Sequence, residues 1–135
     1  MKLRDLKIVE IPQINDTRGS LIFAEVEQIL PFTPKRFFVV HSVPSDEVRG
    51  EHAHKELHEF VVTLQGSVKI KVLNIEGERI FELNNPTMGL HIPPMTWRIL
   101  YEYSADAILL VLASDKYDPN DYIRDIEEFR RSQFA

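Results

Sequence analysis

The segment RGEHAHKELHEF, residues 49–60, concentrates side chains that can bind metals or move protons. It holds three of the five histidines in the chain, His52, His54 and His58, and the carboxylate of Glu59. Imidazole takes up and releases protons near neutral pH and is also a common metal ligand. The segment is therefore a candidate for an acid–base site or a metal site, and the alternative is a solvated strand edge.

His52 and His54 are two residues apart, so in an extended strand their side chains project from the same face. Phe60 and Val62 continue this even-numbered face in one register, but a turn within residues 55–57 is needed for the faces to remain continuous. Small antiparallel barrels hold ligands inside their mouths. We therefore expect both histidines to face the interior of such a barrel, and we expect His58 to be an exposed neighbour.

Composition limits the functions open to the chain. Its 135 residues are 44% hydrophobic and 27% charged, which is the size and composition of a single globular domain spanning residues 1–135. The net charge of −5 and the lack of a basic stretch argue against nucleic acid or an anionic membrane as a partner. A few arginines can still bind a phosphorylated ligand. With no cysteine, disulfides and thiolate chemistry are excluded.

The N-terminus lacks the apolar core of a signal peptide, and no apolar run approaches the roughly 20 residues of a spanning helix. We therefore expect a soluble, cytoplasmic protein.

Short apolar runs rich in Val, Ile and Phe, separated by turn residues, dominate the rest of the chain and predict an antiparallel β-sandwich or barrel. The tail differs from this pattern. Tyr122, Ile126 and Phe129 have helical spacing, with Asp118 or Asn120 as possible caps. The sequence thus predicts an all-β domain with a short C-terminal helix packed on it.

The spacing of the histidine segment is similar to the first sequence motif of the cupin superfamily. Glu59 follows His54 after four residues, and Gly66 follows after six more. In metal-binding cupins the two histidines and the glutamate of this motif bind the ion, and a histidine of a second motif completes the site.

The second cupin motif should fall within GLHIPPMTWRI, residues 89–99, but Arg98 stands where the fourth histidine is expected. His91 lies nearby, off the expected spacing. Because a cation is a poor neighbour for a divalent metal, we predict a site without metal. Three ligands can nevertheless hold zinc or iron(II), so a metal-dependent cupin enzyme using His52, His54 and Glu59 is the first alternative.

The whole chain resembles one cupin branch, the WxcM-like sugar-nucleotide 3,4-ketoisomerases that act on dTDP-4-dehydro-6-deoxyglucose. The segments that carry the resemblance are DTRGSLIFAE (16–25), PFTPKRFF (31–38), RGEHAHKEL (49–57), LQGSVKI (64–70), LNNPTMGLHIPPMTW (83–97) and VLASDKYDPNDYIR (111–124). It implies a cupin jelly-roll barrel, a homodimer with exchanged N-terminal strands, and a site without metal or cofactor in which His52 and His54 perform the chemistry.

The expected reaction suits imidazole independently of the resemblance. Moving a carbonyl from C4 to C3 of a sugar requires removal of the C3 proton, an enediol, and return of a proton at C4. An imidazole with a pKa near 6.5 can take and give that proton. We assign His54 as the principal base and His52 as its partner, which polarises the oxygen.

Six residues are predicted to bind the substrate, a dTDP-linked 4-keto-6-deoxyhexose. These residues are Arg18, Gly19, Arg36, Arg49, Glu59 and Trp97. The three arginines match arginines of the family and should hold the diphosphate, and Trp97 can stack on the thymine or the sugar. Tyr117, Asp118 and Tyr122 are interpreted as structural residues of the tail.

The pair Arg18–Gly19 resembles the branch of the family that makes the galacto product, dTDP-3-dehydro-6-deoxygalactose. We therefore predict that product, for the biosynthesis of deoxyamino sugars. Two positions depart from the family: Glu59 stands where glutamine is expected, and Phe38 lies in a segment usually richer in tyrosine.

Two further alternatives are a nucleotide-sugar-binding cupin without catalysis, and a 3,5-epimerase of the same fold. Tight nucleotide binding without turnover would indicate the first, and exchange of the C5 proton with solvent would indicate the second.

Overall fold

The computed structural model describes residues 2–134, which form twelve β-strands and one α-helix. The strands are β1 (Ile8–Glu10), β2 (Gln13–Asp16), β3 (Gly19–Ile22), β4 (Arg36–His41), β5 (Arg49–His54), β6 (Glu59–Gln65), β7 (Val68–Asn74), β8 (Gly77–Leu83), β9 (Met88–Ile92), β10 (Trp97–Tyr101), β11 (Ile108–Ala113) and β12 (Tyr122–Ile123). The helix α1 spans Ile126–Ser132, and Leu3–Asp5 and Pro119–Asp121 form 3₁₀ turns.

Two five-stranded antiparallel sheets face each other. Their strand orders are β1-β9-β6-β11-β4 and β12-β5-β10-β7-β8, and β2 and β3 pair in a separate hairpin. The orders place strands from distant parts of the chain side by side, as in a jelly roll. The predicted all-β jelly-roll barrel with a short C-terminal helix is confirmed.

The alternation of apolar and polar residues determines which side of each strand faces the core. In β7, Val68, Ile70 and Val72 are fully buried, whereas Lys69 and Lys71 on the opposite face are partly exposed. The apolar side chains of the two sheets meet between them and form the main core. This packing holds the site-bearing strands β5, β6 and β10 in register.

The prediction that β6 continues the even-numbered face of β5 is wrong. Val61 packs in the core between the sheets, while Phe60 and Val62 lie on the outer face, under the segment that includes Ile11 and Leu30. The turn at residues 55–58 shifts the alternation of side chains by one residue. Because side chains alternate with a period of two along a strand, this shift exchanges the two faces of β6. Odd-numbered residues of β6 therefore share the interior with His52 of β5.

The C-terminal helix begins later than predicted. Asp118 caps the 3₁₀ turn by accepting a hydrogen bond from the amide of Asn120 at 2.9 Å, and the next two residues form β12. The cap of α1 is Asp125, whose carboxylate accepts from the amide of Glu127 at 2.9 Å. Tyr122 is thus a strand residue, because pairing with β5 satisfies its backbone better than a helix would.

The helix packs on the barrel as predicted. Its buried Phe129 lies against Trp97, with ring centroids 5.6 Å apart. With seven residues, α1 is far shorter than a bilayer span, and nowhere in residues 2–134 does a helix have the length and hydropathy to cross a membrane.

Candidate active site

A cavity of about 300 Å³ opens between the two sheets. Its apolar walls come from both sheets and include Phe38, Val61, Leu100 and Val111. The polar side chains that line it are Arg49, His52, Glu59, Arg98, Tyr103, Tyr122 and Arg124. A mostly apolar cavity with a few convergent polar groups is the usual form of a small-molecule site.

A bulge in β5 presents His52 to this cavity. Arg98 of β10 pairs with His52, but the next residue of β10 pairs with Gly50, so Glu51 is the extra residue. Gly50 and Glu51 both have left-handed backbones, with φ of +86° and +53°. A Cβ on Gly50 would lie 3.0 Å from the carbonyl oxygen of Arg98, so glycine permits the close approach of the two strands here.

His52 presents an unprotonated nitrogen to the cavity. Its Nδ1–H donates to the carbonyl oxygen of Gly50 at 2.9 Å, and since that oxygen can only accept, the proton resides on Nδ1 and leaves the Nε2 lone pair free. Burial and the nearby charge of Arg98 lower the pKa of His52 to about 4, so the imidazole is neutral at pH 7. A neutral imidazole with a free Nε2 is a ready proton acceptor.

His54 lies behind His52 and is almost fully buried. Its Nδ1–H donates to a carboxylate oxygen of Asp121 at 3.2 Å. The backbone amides of Glu56 and Leu57 donate to the same carboxylate at 2.8 and 3.2 Å, so the turn after β5 holds Asp121 in place. Sequence reasoning missed Asp121, because it lies 67 positions after His54 and no periodic signal links the two residues.

The two imidazoles contact each other edge to face, with ring centroids 4.8 Å apart. Burial, the charge of Arg98 and the adjacent His52 place the pKa of His54 well below its usual range. His54 lines a smaller polar pocket of about 80 Å³, and its Nε2 is buried without a hydrogen-bond partner among residues 2–134. This placement favours His52 over His54 for direct contact with a molecule in the larger cavity, the reverse of the predicted order.

Arg98 and Glu59 form a buried ion pair at the inner wall of the cavity. The Nη1 group of Arg98 donates to the Glu59 carboxylate, and its Nη2 group donates to the carbonyl oxygen of Thr96 at 3.1 Å. Both side chains are more than nine-tenths buried. Such a pair is stable only when both charges remain, because either charge alone would be buried without compensation.

The three possible metal ligands of the cupin motif do come together. The ligand atoms of His52, His54 and Glu59 lie within 4.8 Å of one another. However, Arg98, which stands at the sequence position of the fourth ligand, donates a hydrogen bond to the Glu59 carboxylate. A fixed positive charge in this position repels a divalent cation, so the residues present do not fit a metal.

The predicted arginines differ in position. Arg49 lines the cavity. Arg36 lines the smaller pocket beside His54, and its guanidinium lies 5.3 Å from the centre of the Phe38 ring. Arg124, which the sequence prediction did not include, also lines the cavity, so the guanidinium groups of both Arg49 and Arg124 are available there.

Arg18, Gly19 and Trp97 lie outside the cavity. Arg18 and Gly19 are at the tip of the β2–β3 hairpin, where the Arg18 side chain is 88% exposed and pairs with Asp16 at 2.7 Å. Trp97 is buried against Phe129 on the far side of its sheet, where the outward-facing residues of β10 meet the helix. Its position indicates a core residue and does not favour stacking on a ligand in the cavity.

The structural role predicted for Tyr122 does not account for its position beside the two histidines. Its ring centroid is 4.9 Å from that of His52 and 4.4 Å from that of His54, and Arg124 covers the ring at 4.0 Å. Backbone pairing of β12 with β5 sets Tyr122 directly opposite His54. No periodic signal marks a strand of two residues, so this contact could not be predicted from the pattern.

His58 is half-buried, not exposed as predicted. Its Nδ1 lies 2.9 Å from Nε2 of His91, and the two rings stack beside Phe32. These two histidines do not line the cavity.

Comparisons with known proteins identify the family. Residues 4–133 match the family described as FdtA: WxcM-like, C-terminal, and the chain belongs to it. A TDP-4-oxo-6-deoxy-alpha-D-glucose-3,4-oxoisomerase from Aneurinibacillus thermoaerophilus is 38% identical over 127 residues, which cover 93% of this chain and 90% of that protein.

Solved structures agree with this assignment. The crystal structure of QdtA, a sugar 3,4-ketoisomerase from Thermoanaerobacterium thermosaccharolyticum in complex with TDP, has a TM-score of 0.93 at 37% identity, covering 98% of this chain and 97% of that one. A 3,4-ketoisomerase from Helicobacter canadensis has a TM-score of 0.93 at 40% identity, covering 97% and 98%.

We predict that removing the Arg98 charge creates affinity for a divalent metal. In Arg98→Ala, the Glu59 carboxylate is released and can join His52 and His54 as a ligand. Zinc titration by calorimetry should show at least a tenfold gain in affinity over the unaltered protein, since a neighbouring fixed charge is removed from the site. The double variant Arg98→Ala, His52→Ala should lose that gain. Equal zinc binding by the unaltered protein and Arg98→Ala would contradict the exclusion of metal by Arg98.

Proposed function

We propose that the chain is a sugar-nucleotide 3,4-ketoisomerase that converts dTDP-4-dehydro-6-deoxyglucose into a 3-keto product. The observation that carries the proposal is His52, a neutral imidazole whose free Nε2 faces a mostly apolar cavity between the sheets. The relatives support the substrate, because a protein 38% identical to this one is named for that reaction and QdtA was crystallised with TDP.

The proposed reaction uses one proton acceptor. The C4 ketone makes the C3 proton acidic, so Nε2 of His52 removes it and the electrons form an enediolate with its negative charge on the C4 oxygen. The proton of the C3 hydroxyl passes to the C4 oxygen, the carbonyl forms at C3, and the imidazolium of His52 returns its proton to C4. His52 takes the role of base because it lines the cavity, whereas His54 is buried behind it and bonded to Asp121.

The cavity walls suit a 6-deoxy sugar. The apolar side chains of Val61, Leu100 and Val111 offer contacts for the C6 methyl group, which carries no hydroxyl that would need a partner. The same side chains limit water around the enediol, which strengthens polar interactions in the site.

Arginines at the cavity are the proposed partners of the diphosphate. Arg49 and Arg124 are exposed at their outer ends and line the cavity, and guanidinium groups bind phosphate oxygens with charge-assisted hydrogen bonds. Arg36 stands beside the smaller pocket and can extend this positive region.

The galacto configuration is the product that we propose. His52 and His54 project from one strand toward one side of the site. In the gluco substrate the C3 proton lies on the α face, and a proton returned to C4 on that same face leaves the C4 hydroxyl axial. Return of the proton by the same imidazole on that face would therefore give dTDP-3-dehydro-6-deoxygalactose.

A homodimer with exchanged N-terminal strands is part of the proposal. Apolar side chains are exposed on the hairpin, at Ile14 and Leu21, and on the outer face of β4, at Phe37 and Val39. Exposed apolar side chains of this kind favour an interface. Exchange of the hairpin would carry Arg18 to the partner subunit, where it could reach the substrate as the sequence predicts.

Incubation of the protein with dTDP-4-dehydro-6-deoxyglucose, without added metal or nicotinamide, should give the 3-keto sugar with an axial C4 hydroxyl. Trapping by a 3-aminotransferase and proton couplings by NMR will identify the product. An equatorial hydroxyl would refute same-face transfer, and tight nucleotide binding without turnover would favour the non-catalytic alternative.

His52→Asn should lower kcat by about 100- to 10,000-fold with little change in KM, because a general base acts in the transition state. His58→Asn, which alters a histidine outside the cavity, is the matched control and should change kcat less than about threefold.

Since protonation of His52 removes the base, kcat/KM of the unaltered protein should fall as the pH decreases through about 4. A fall centred near pH 6.5 would contradict the lowered pKa of the base, and a greater loss of turnover in His54→Asn than in His52→Asn would transfer the role of base to His54.

Light scattering should give the mass of two 15.7 kDa chains. Phe37→Glu places a charge on a side chain that is 68% exposed in the single chain and should shift the protein to monomers. Ile80→Glu, on β8 of the other sheet and 54% exposed, should remain dimeric. A monomeric unaltered protein would contradict the proposed assembly.

A further inference from the structure

The proposed reaction needs a proton donor at the sugar oxygens as well as a base at carbon. As C3 loses its proton, negative charge develops on the C4 oxygen, and a donor placed there stabilises it. His52 and His54 cannot serve in their resting state, because each gives its single N–H to Gly50 or to Asp121. In Arg98, Nη1 and Nη2 donate to protein oxygens and Nε is buried.

Tyr122 is a phenol whose ring lies beside both imidazoles. Its ring lies within 5 Å of each histidine ring, measured between centroids, and it lines both the large cavity and the small polar pocket. The side chain is half-buried, and nothing in residues 2–134 forms a hydrogen bond with its hydroxyl. The hydroxyl is thus available to a molecule in the site.

Tyr122 remains protonated at neutral pH. Burial and the negative charge of Glu59 raise the pKa of its phenol above the ordinary value. Phe38 on the cavity wall has no hydroxyl, and Tyr103 lies near Arg49, at the opposite end of β5 from His54. A neutral donor close to the two histidines is therefore found at Tyr122.

We propose that Tyr122 is a further catalytic residue, which moves a proton between the two sugar oxygens of the enediol. The inference rests on the proposed ketoisomerase function. While His52 takes the C3 proton, the Tyr122 hydroxyl gives its proton to the C4 oxygen, and an enediol and a phenolate result. The phenolate then takes the proton of the C3 hydroxyl as the C3 carbonyl forms, and His52 returns its proton to C4. Both side chains end in their initial states.

The test is Tyr122→Phe, which keeps the ring contacts with both histidines and with Arg124 and removes only the hydroxyl. Loss of one donor to a developing oxyanion should lower kcat about 100-fold while KM stays within about threefold. Tyr117→Phe is the control, because its ring contacts Tyr122 at 5.8 Å but lies outside the large cavity, and it should retain kcat within about twofold.

A second measurement separates catalysis from a structural role. Incorporation of 3,5-difluorotyrosine at position 122 lowers the pKa of the phenol, so the alkaline fall of kcat should move to lower pH. A structural hydroxyl would leave that fall unchanged.

A Tyr122→Phe protein with unaltered kcat, or a loss confined to KM, would overturn the proposal while leaving the ketoisomerase function intact. An unaltered protein without turnover would remove both.

Discussion

The ion pair between Arg98 and Glu59 is the constraint on which the site depends. Both charges are withdrawn from water between the sheets, and loss of either partner from a buried pair typically costs about 3–5 kcal/mol. The pair joins β10 to β6 across the barrel and so connects the two sheets at the level of the histidines. It also holds the Glu59 carboxylate away from any role as a metal ligand.

Arg98 acts on the histidines as well as on Glu59. Its positive charge, added to the effect of burial, keeps both imidazoles neutral at pH 7. Asp121 and the Gly50 carbonyl then determine which nitrogen of each ring carries the proton. Metal-binding cupins use this fold to hold an ion. Here the positively charged Arg98 stands at the position of a metal ligand, so the same fold can serve proton transfer.

The sequence predicted the strands and the pairing of His52 and His54 on one strand, because both depend on local patterns. Alternation along β7 and the H-x-H spacing of β5 are visible within a few residues. The errors arise where a short turn or a distant contact decides the outcome. The turn at residues 55–58 reversed the faces of β6, and pairing with β5 made Tyr122 a strand residue instead of a helical one. Asp121 came to His54 through tertiary structure alone.

The two-residue strand β12 has a consequence for the order in which the protein acquires its chemistry. It brings Asp121 and Tyr122 to the histidines from a segment that follows all the long strands in the chain. Contacts across such long sequence separations form slowly, and synthesis delivers this segment after the strands that it completes. A nascent barrel therefore contains both histidines before Asp121 reaches His54. The chain acquires its fold first and its complete active site last.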